Sequence, residues 1–331
     1  ITTDKQDMAG NNNGVYKIEN YYNGLKTLQL NFKRVSFSES KHINRLIDYE
    51  HFKKNKKRIQ KLFIDSNNPL SIYSDVSDNG KIKVYDSVAT VFKTEVSDFQ
   101  LNKSNVSIKI TGKQIDTIKT NTVFTSDYYV NTNEAVEFSD KNVSVTIPKN
   151  TFYKNFYADF NVTSNTVKIH KPEYAAKKKF TVSFDISNYK NKNTKGLYIA
   201  KLIGYKTDYP VYSSTKRIGD VLYTKTKDLG TYTLAIDSIK PTVKPLNFTK
   251  GKWMSKYRFL KLKIEDKLTG ISNYRATVNG KWILMEYDYK TDMLVHDFKD
   301  NVVKDTNNNL KVIVTDNVGN STTFEATFHR K

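Results

Sequence analysis

The residues best suited to hold a cation lie near the end of the sequence, in the stretch VTDNVGNSTT (314–323). Asp316, Asn317 and Asn320 surround Gly319. A Ca²⁺ ion takes about six to eight oxygen ligands, so this stretch would need further ligands from a neighbouring loop. The same side chains can instead accept hydrogen bonds from turn amides, while the glycine adopts positive φ. Because apolar residues alternate on both sides, the sequence favours a turn between paired strands and leaves Ca²⁺ as the alternative.

Catalytic motifs are sparse. His296 and Asp300 fit the pattern HxxxD, but no HxH supplies further zinc ligands, and the chain has no cysteine. The sequence also lacks GxSxG, GxxxxGK[ST] and GxGxxG, so nothing indicates a hydrolase nucleophile, a phosphate-binding loop or a dinucleotide site. We therefore predict no catalytic residue, no metal ligand and no cofactor in this segment.

Two tryptophans offer a different chemistry. Trp253 and Trp282 each follow a Gly-Lys pair, and a flat ring suits the apolar face of a sugar. Their apolar neighbours favour packing inside a sandwich instead.

Charge is the strongest compositional feature. The chain of 331 residues carries a formal charge of +20, which raises nucleic acid or an anionic surface as a partner. The excess is nearly all lysine, and the few arginines are scattered, which weakens the case for nucleic acid. The abundance of Lys, Asn, Ile and Tyr is also typical of an AT-rich genome. We expect no nucleic-acid partner.

One stretch, HFKKNKKRIQKLF (51–63), is denser in cations. Wound as a helix, it places Phe52, Ile59, Leu62 and Phe63 roughly on one side. An amphipathic surface helix explains this pattern, and docking to anionic wall polymer or lipid headgroups is the functional alternative. The candidate binding cations are Lys53, Lys54, Lys56, Lys57, Arg58 and Lys61.

Most of the chain has the pattern of short strands separated by turn residues. Asn23-Gly24 joins two β-rich runs and predicts a tight type I′ hairpin. Helix is expected only at about 38–62, where Ser38 is the candidate cap. No stretch is long and apolar enough to predict a membrane span. The fold class is therefore all-β, with one short helical insertion.

The two ends of the chain resemble each other. GVYKIENYYNG (14–24) and GISNYRATVNG (270–280) share a glycine, a branched apolar residue and a closing Asn-Gly, and Asp98/Asn102 repeats the spacing of Asp316/Asn320. Both ends should therefore carry the same module, longer in the first copy by about the helical stretch. Strand-like sequence precedes the second copy but has no counterpart before the first, so we expect opening strands upstream of Ile1.

Several long stretches resemble the noncatalytic C-terminal region of periplasmic zinc metallopeptidases of the lysostaphin (LytM) type from Gram-negative bacteria. They include SIKPTVKPLNFTKGKWMS, VTDNVGNSTTFEATFHRK, NNNGVYKIENYYNG and DLGTYTLAIDSIKPT. In that family an upstream domain holds Zn²⁺ through an HxxxD pair and the last His of HxH, and it cuts peptidoglycan cross-links. The resemblance implies that Zn²⁺ belongs only to such an upstream domain, so no catalytic residue is carried over to this chain.

The resemblance implies tandem Ig-like β-sandwiches, at 1–112 with the helical insertion and at 237–331. Residues 113–236 are expected to form a further β-sandwich, in which NVSVTIPKNTFY is similar to a ZU5 opening strand. The expected function is a noncatalytic arm that positions or docks a peptidoglycan endopeptidase at the wall or an envelope complex, in the periplasm or at the outer membrane. The alternatives are a scaffold subunit of an envelope complex and a charge-driven nucleic-acid binder.

The patterns at Asp86, Asp116 and Asp237 (DSV, DTI and DSI) also resemble envelope O-glycosylation sites.

Overall fold

The chain is almost entirely β-structure, as the sequence predicts. The computed structural model describes residues 4–5, 12–114, 124–189, 194–204 and 207–331. Within these ranges, none of the helices has the length and apolar content that crossing a lipid bilayer requires. The sheets fall into three successive groups along the chain, which we call the first, middle and last segments.

The first segment contains one large sheet. The strands of this segment are β1 (Asp4–Lys5), β2 (Asn12–Asn13), β3 (Lys17–Tyr22), β4 (Leu25–Asn31), β5 (Tyr73–Ser74), β6 (Ala89–Ser97) and β7 (Lys103–Thr111). The large sheet has the order β5-β4-β3-β6-β7, and within the described residues β1 and β2 form a separate two-stranded sheet. Ile18, Leu28 and Leu30 lie on its inner face, where the insertion covers them with Leu46 and Ile72. That apolar contact is the core of this segment.

The insertion contains less helix than the sequence predicts. It has one α-helix, α1 (Tyr49–Asn55), and short 3₁₀ turns at Ser40–Arg45 and Asp78–Gly80. Asp48, rather than Ser38, caps α1 by accepting a hydrogen bond from the amide of His51. Lys56 adopts a left-handed conformation with φ 58° and ends the helix. The chain then turns back, and its backbone bonds with the stretch before α1 replace the predicted helical turns up to residue 62.

The middle segment is a sandwich of two five-stranded sheets. Its strands are β8 (Tyr129–Val130), β9 (Val136–Asp140), β10 (Val143–Ile147), β11 (Phe156–Tyr157), β12 (Asn161–Thr163), β13 (Thr166–Lys168), β14 (Phe180–Asp185), β15 (Leu197–Ile203), β16 (Tyr209–Tyr212), β17 (Thr215–Ile218), β18 (Val221–Thr226) and β19 (Thr231–Ile236). The sheets have the orders β17-β18-β14-β10-β9 and β12-β13-β19-β15-β16, and β8 pairs with β11 beside them. Phe152, Phe180, Phe184 and Tyr232 are fully buried, so large aromatic rings supply much of the core.

The last segment is also a two-sheet sandwich. Its strands are β20 (Thr242–Pro245), β21 (Lys252–Trp253), β22 (Phe259–Glu265), β23 (Ile271–Val278), β24 (Lys281–Ile283), β25 (Glu286–Asp288), β26 (Met293–Asp297), β27 (Asn307–Asp316) and β28 (Ser321–His329), with a 3₁₀ turn at Phe298–Asp300. The sheets have the orders β20-β22-β26-β25 and β21-β28-β27-β23-β24. This architecture confirms the predicted fold class, all-β with tandem Ig-like sandwiches.

The structure reproduces the internal repeat strand by strand. The order β4-β3-β6-β7 in the first segment matches β24-β23-β27-β28 in the last. In each copy the aspartate Oδ1 accepts the amide of the asparagine four residues later, at 2.9 Å for Asp98/Asn102 and 2.8 Å for Asp316/Asn320. The two ends therefore share one module, and the repeated spacing in the sequence predicts its position correctly.

The hairpin asparagine has the same role in both copies. Asn23 and Asn279 adopt positive φ, and Gly24 and Gly280 follow them in the same region, as a type I′ turn requires. The side-chain Oδ1 of Asn23 accepts the amide of Val91 at 2.9 Å, and that of Asn279 accepts the amide of Asn309 at 2.8 Å. Each asparagine side chain therefore bonds its hairpin to the neighbouring strand of the sheet, which is β6 in the first copy and β27 in the second.

We expect Asn279→Ala to destabilise the last segment by about 2 kcal/mol, because it loses both the tolerated positive φ and the hydrogen bond to Asn309. Asn279→Gly keeps the backbone freedom and should cost roughly half as much. The only tryptophans, Trp253 and Trp282, lie in this segment, so denaturant unfolding followed by tryptophan fluorescence reports on it directly. Equal losses in the two variants would show that the backbone conformation is not strained.

Candidate functional site

The VTDNVGN stretch forms the predicted turn between β27 and β28. Asp316 Oδ1 accepts hydrogen bonds from the amides of Val318 and Asn320, and Asp316 Oδ2 accepts one from Asn320 Nδ2 at 2.7 Å. Gly319 has φ 93°. These contacts account for the polar side chains of the motif as turn-forming groups.

Two further carboxylates converge on Asp316, from loops that the sequence analysis did not connect with it. Asp237 follows β19, Asp266 follows β22, and one ligand atom from each of the three aspartates lies within 4.8 Å of the others. We call these residues the aspartate triad. Among the residues that the structure describes, it is the one group of three or more acidic, His or Cys side chains close enough to hold a metal ion. Carboxylate oxygens are the ligand type that Ca²⁺ prefers.

Each carboxylate of the triad also organises its own loop. Asp266 Oδ1 accepts amide hydrogen bonds from Leu268, Thr269 and Gly270, while Asp237 accepts the amide of Ile239 and the hydroxyl of Thr269. Asn320 Nδ2 donates to the Asp237 carbonyl at 3.0 Å. The triad therefore connects the end of the middle segment to two loops of the last.

His296 and Asp300 do not form a zinc site with other described residues. The His296 side chain is buried in the last sandwich, and its Nδ1 donates to the Leu284 carbonyl at 2.9 Å. Asp300 Oδ2 lies 3.7 Å from the same nitrogen. The ring thus fastens a loop, consistent with a structural role for this HxxxD match.

The candidate binding cations do not share one helical face. Lys53 Nζ lies 2.8 Å from Asp228 Oδ1, and Lys61 Nζ lies 2.5 Å from Asp65 Oδ2, so these two form ion pairs within the chain. The other four are exposed: Lys54, Lys56, Lys57 and Arg58. Of the six candidate binding cations, these four present their charge to solvent.

Lys53 belongs to a joint between the first and middle segments. The Asp228 carboxylate also receives Lys201 Nζ at 3.2 Å and the Tyr49 hydroxyl at 3.4 Å. Burial alone would raise the pKa of Asp228, but hydrogen bonding and attraction from Lys53 and Lys201 outweigh it and hold that pKa below its usual value. Asp228 therefore stays ionised, and a charge from each segment holds the joint together.

A second contact closes the same joint. His42 Nδ1 lies 2.6 Å from the Tyr153 hydroxyl, and Asn67 Nδ2 donates to the Tyr153 carbonyl at 2.8 Å. The Arg45 guanidinium lies over the Tyr153 ring, 4.7 Å from its centroid. Burial raises the pKa of Tyr153 to about 12, so the hydroxyl remains protonated at neutral pH.

The expectation that both tryptophans pack inside a sandwich is wrong. Trp253 is 54% exposed and Trp282 is 57% exposed. Side chains alternate across a strand, and here the next residues, Met254 and Ile283, take the buried positions. Met254 and Ile283, two of the apolar neighbours that suggested burial of the tryptophans, are themselves core residues, whereas Leu284 is exposed.

The middle segment carries an aromatic groove of ≈ 440 Å³ beside β8 and β11. Tyr129 and Tyr157 face each other across these two strands, with ring centroids 4.8 Å apart. The other lining residues are Phe124, Asn155, Phe156, Asp159, His170, Lys171, Glu173 and Tyr174. The sequence analysis missed this site because its residues come from separate strands and loops, without a recognised spacing.

His170 lies at the base of the groove. Its Nδ1 accepts the amide of Asp159 at 3.0 Å, which leaves the ring hydrogen of the neutral form on Nε2. Glu173 Oε1 is 3.1 Å from Nε2 but poorly aligned with it, so among the described residues this buried nitrogen has no hydrogen-bond partner of good geometry. Burial lowers the pKa of His170, so the ring is neutral at physiological pH.

The proposed glycosylation patterns fall in different surroundings. Asp86 is exposed, Asp237 is buried in the aspartate triad, and Asp116 lies outside the described residues.

Comparison with protein families finds a match in the middle segment. Residues 127–237 match the model of the Zu5-like domain. No curated protein matches the sequence. Among solved structures, the fibronectin(III)-like modules of Clostridium thermocellum CbhA are similar, with 14% identity and a TM-score of 0.23, over 46% of this chain and 86% of theirs. At that score the similarity carries no functional argument, and the sheet orders given above define the fold.

We expect Asp316→Ala to destabilise the last segment by about 2–4 kcal/mol, because two turn amides lose their acceptor. Asp316→Asn keeps an acceptor oxygen and removes one charge from the triad, so it should cost less. Tryptophan-fluorescence unfolding in EDTA measures both variants without divalent cations that would offset the repulsion. If the two variants lose the same stability, the amide contacts are not the stabilising feature.

Proposed function

We propose that this chain is the noncatalytic β-sandwich arm of a cell-envelope peptidoglycan endopeptidase, in the periplasm or at the outer membrane. The arm positions a zinc-bearing peptidase domain at the wall. The observation that carries this proposal is an uncovered apolar strip on the first sheet, which we call the β7 strip. It consists of Val106 and Ile108, which are 63% and 53% exposed.

The β7 strip lies on the inner face of its sheet. Val106 is paired with Thr94, Thr94 with Asn20, and Asn20 with the buried Leu28, so the four side chains share one face. The insertion covers this face over β3 and β4 but leaves it open at β7. An inner face of apolar residues normally requires a second layer.

The last segment shows what covers the equivalent position. At the offset of the internal repeat, Val106 and Ile108 correspond to Phe324 and Ala326, which pack against the core of that sandwich. There β21 pairs in parallel with the edge of β28, while β20, in the opposite sheet, lies against β28. Both of these strands precede the repeated unit in sequence. We propose that the region joining this chain to the peptidase domain covers the β7 strip in the same way.

The joint at Asp228 supports a positioning function. A peptidase domain seated on the first segment keeps its orientation only if the first and middle segments do not move independently. Lys53 and Tyr49 on one side and Lys201 on the other share the Asp228 carboxylate, and Tyr153 receives the second group of contacts. Two separated contact points restrict hinge motion more than one does.

Docking to the wall is assigned to the four exposed cations of the insertion: Lys54, Lys56, Lys57 and Arg58. They lie next to the joint but outside its ion pairs. The overall charge of +20 favours approach to an anionic envelope polymer.

Retention of the chain on purified sacculi tests this assignment. Replacing all four exposed cations by Gln should weaken retention about tenfold, because exposed ion pairs contribute roughly 0.2–1 kcal/mol each. A matched control replaces the exposed lysines Lys250, Lys267, Lys281 and Lys290 of the last segment by Gln, with the same change in net charge. Equal weakening in both variants would reject a specific docking surface. Retention on envelope membranes but not on sacculi would support a scaffold subunit instead.

A further inference from the structure

We propose that the aromatic groove of the middle segment binds the glycan strand of the wall, as a site for a neutral, linear saccharide. This inference rests on the proposed function for the identity of the polymer. The groove geometry and its chemistry carry the assignment to a saccharide.

The groove adjoins a second cavity, and we call the two together the trough. The second cavity, of ≈ 330 Å³, lies between the insertion and the middle segment, and Glu173 and Tyr174 line both cavities. The trough includes Tyr49 and Arg45 of the insertion at one end and Tyr129 at the other. An extended, open shape of this kind fits several units of a linear polymer better than a compact small molecule.

The rings provide stacking surfaces at one end of the trough. Tyr129 is 43% exposed and Phe124 is 54% exposed, although both are large aromatic residues. Tyr157 lies against Tyr129, and the planes of the two rings are inclined at 53° to each other. The apolar C–H face of a pyranose packs on such a surface, and a tyrosine also offers its hydroxyl for hydrogen bonding.

The polar groups suit a ligand that both donates and accepts hydrogen bonds. The Nε2–H of His170 is a buried donor whose nearest acceptor among the described residues, Glu173 Oε1 at 3.1 Å, is poorly aligned with it, and Glu173 also lines the groove. Sugar hydroxyls and N-acetyl groups can satisfy both kinds of partner at once. Burial makes a buried donor without a partner costly, so a ligand that reaches it gains affinity.

The charges of the trough favour a neutral polymer. In the second cavity Arg45, Lys61 and Lys154 face four carboxylates, those of Asp48, Glu50, Asp65 and Glu173. In the first, Asp159 and Glu173 accompany a single Lys171 and a neutral His170. Because this lining holds no excess of cations, a polyanion such as nucleic acid gains little there, unlike at the exposed cations of the insertion.

Isothermal titration of the full chain with the β-1,4-linked tetramer of N-acetylglucosamine tests the proposal. We expect saturable binding by the wild type and about tenfold weaker binding by Tyr129→Ala or Tyr157→Ala, because each loses a stacked ring. Tyr289→Ala is the matched control, since Tyr289 is 74% exposed on the last segment, away from the groove. Circular dichroism melts check that each variant is folded.

The outcomes separate this site from the proposed function. Binding that is lost in both groove variants but kept in Tyr289→Ala supports the site. No heat of binding at millimolar tetramer, or the same affinity in all variants, overturns it. Cellotetraose lacks N-acetyl groups. It should bind as well as the tetramer if the site contacts only the faces of the sugar rings, and more weakly if the site recognises the N-acetyl groups. Failure here leaves retention through the insertion cations intact, because that experiment uses different residues.

Discussion

An apolar sheet face must be covered, and this constraint explains most of the molecule. In the middle and last segments two sheets cover each other, and their inner residues are almost fully buried. In the first segment the insertion takes the place of the second sheet and reaches only part of the way across. The strip left open on β7 is therefore the one place where the described fold is incomplete as a sandwich. We infer that the proposed peptidase domain would contact the chain at this strip.

Local patterns predict local structure well in this chain. Asn23-Gly24 predicts its hairpin because few other pairs tolerate positive φ at both positions, and Asp98/Asn102 predicts a turn because the side chain closes on an amide four residues away. The duplicated spacing then predicts the shared strand order of both ends. Each of these patterns depends on contacts within a few residues.

Local sequence patterns fail to predict the structure where contacts between residues distant in sequence determine it. The helical periodicity of residues 51–63 continues past Asn55, but backbone pairing of Ile59 with Asp48 and of Lys61 with Leu46 ends the helix. The residues next to the tryptophans in sequence do not show which neighbour faces the core. The aspartate triad and the aromatic groove each collect residues from several loops, so no spacing in the sequence reveals them. Local propensity is a weak guide once tertiary contacts compete with it.

The sequence predicts the function, like the fold, only in part. The resemblance of the sequence to peptidase tails suggested an arm, and the structure adds surfaces on which an arm could act: an open strip, a charged joint, four exposed cations and a groove. The candidate binding cations show why the sequence and the structure are both needed. The sequence gives six as a group, whereas the fold assigns Lys53 to the Asp228 joint and Lys61 to Asp65.

Amide hydrogen exchange along β7 shows whether the proposed peptidase region binds at the β7 strip. It should be measured in the 331-residue chain and in a longer form that carries the proposed zinc-bearing domain before Ile1. We predict fast exchange at the outer amides of residues 103–111 in the shorter chain and strong protection in the longer one, since a strand placed like β21 would pair with this edge. The same exchange rates in both proteins would contradict the account.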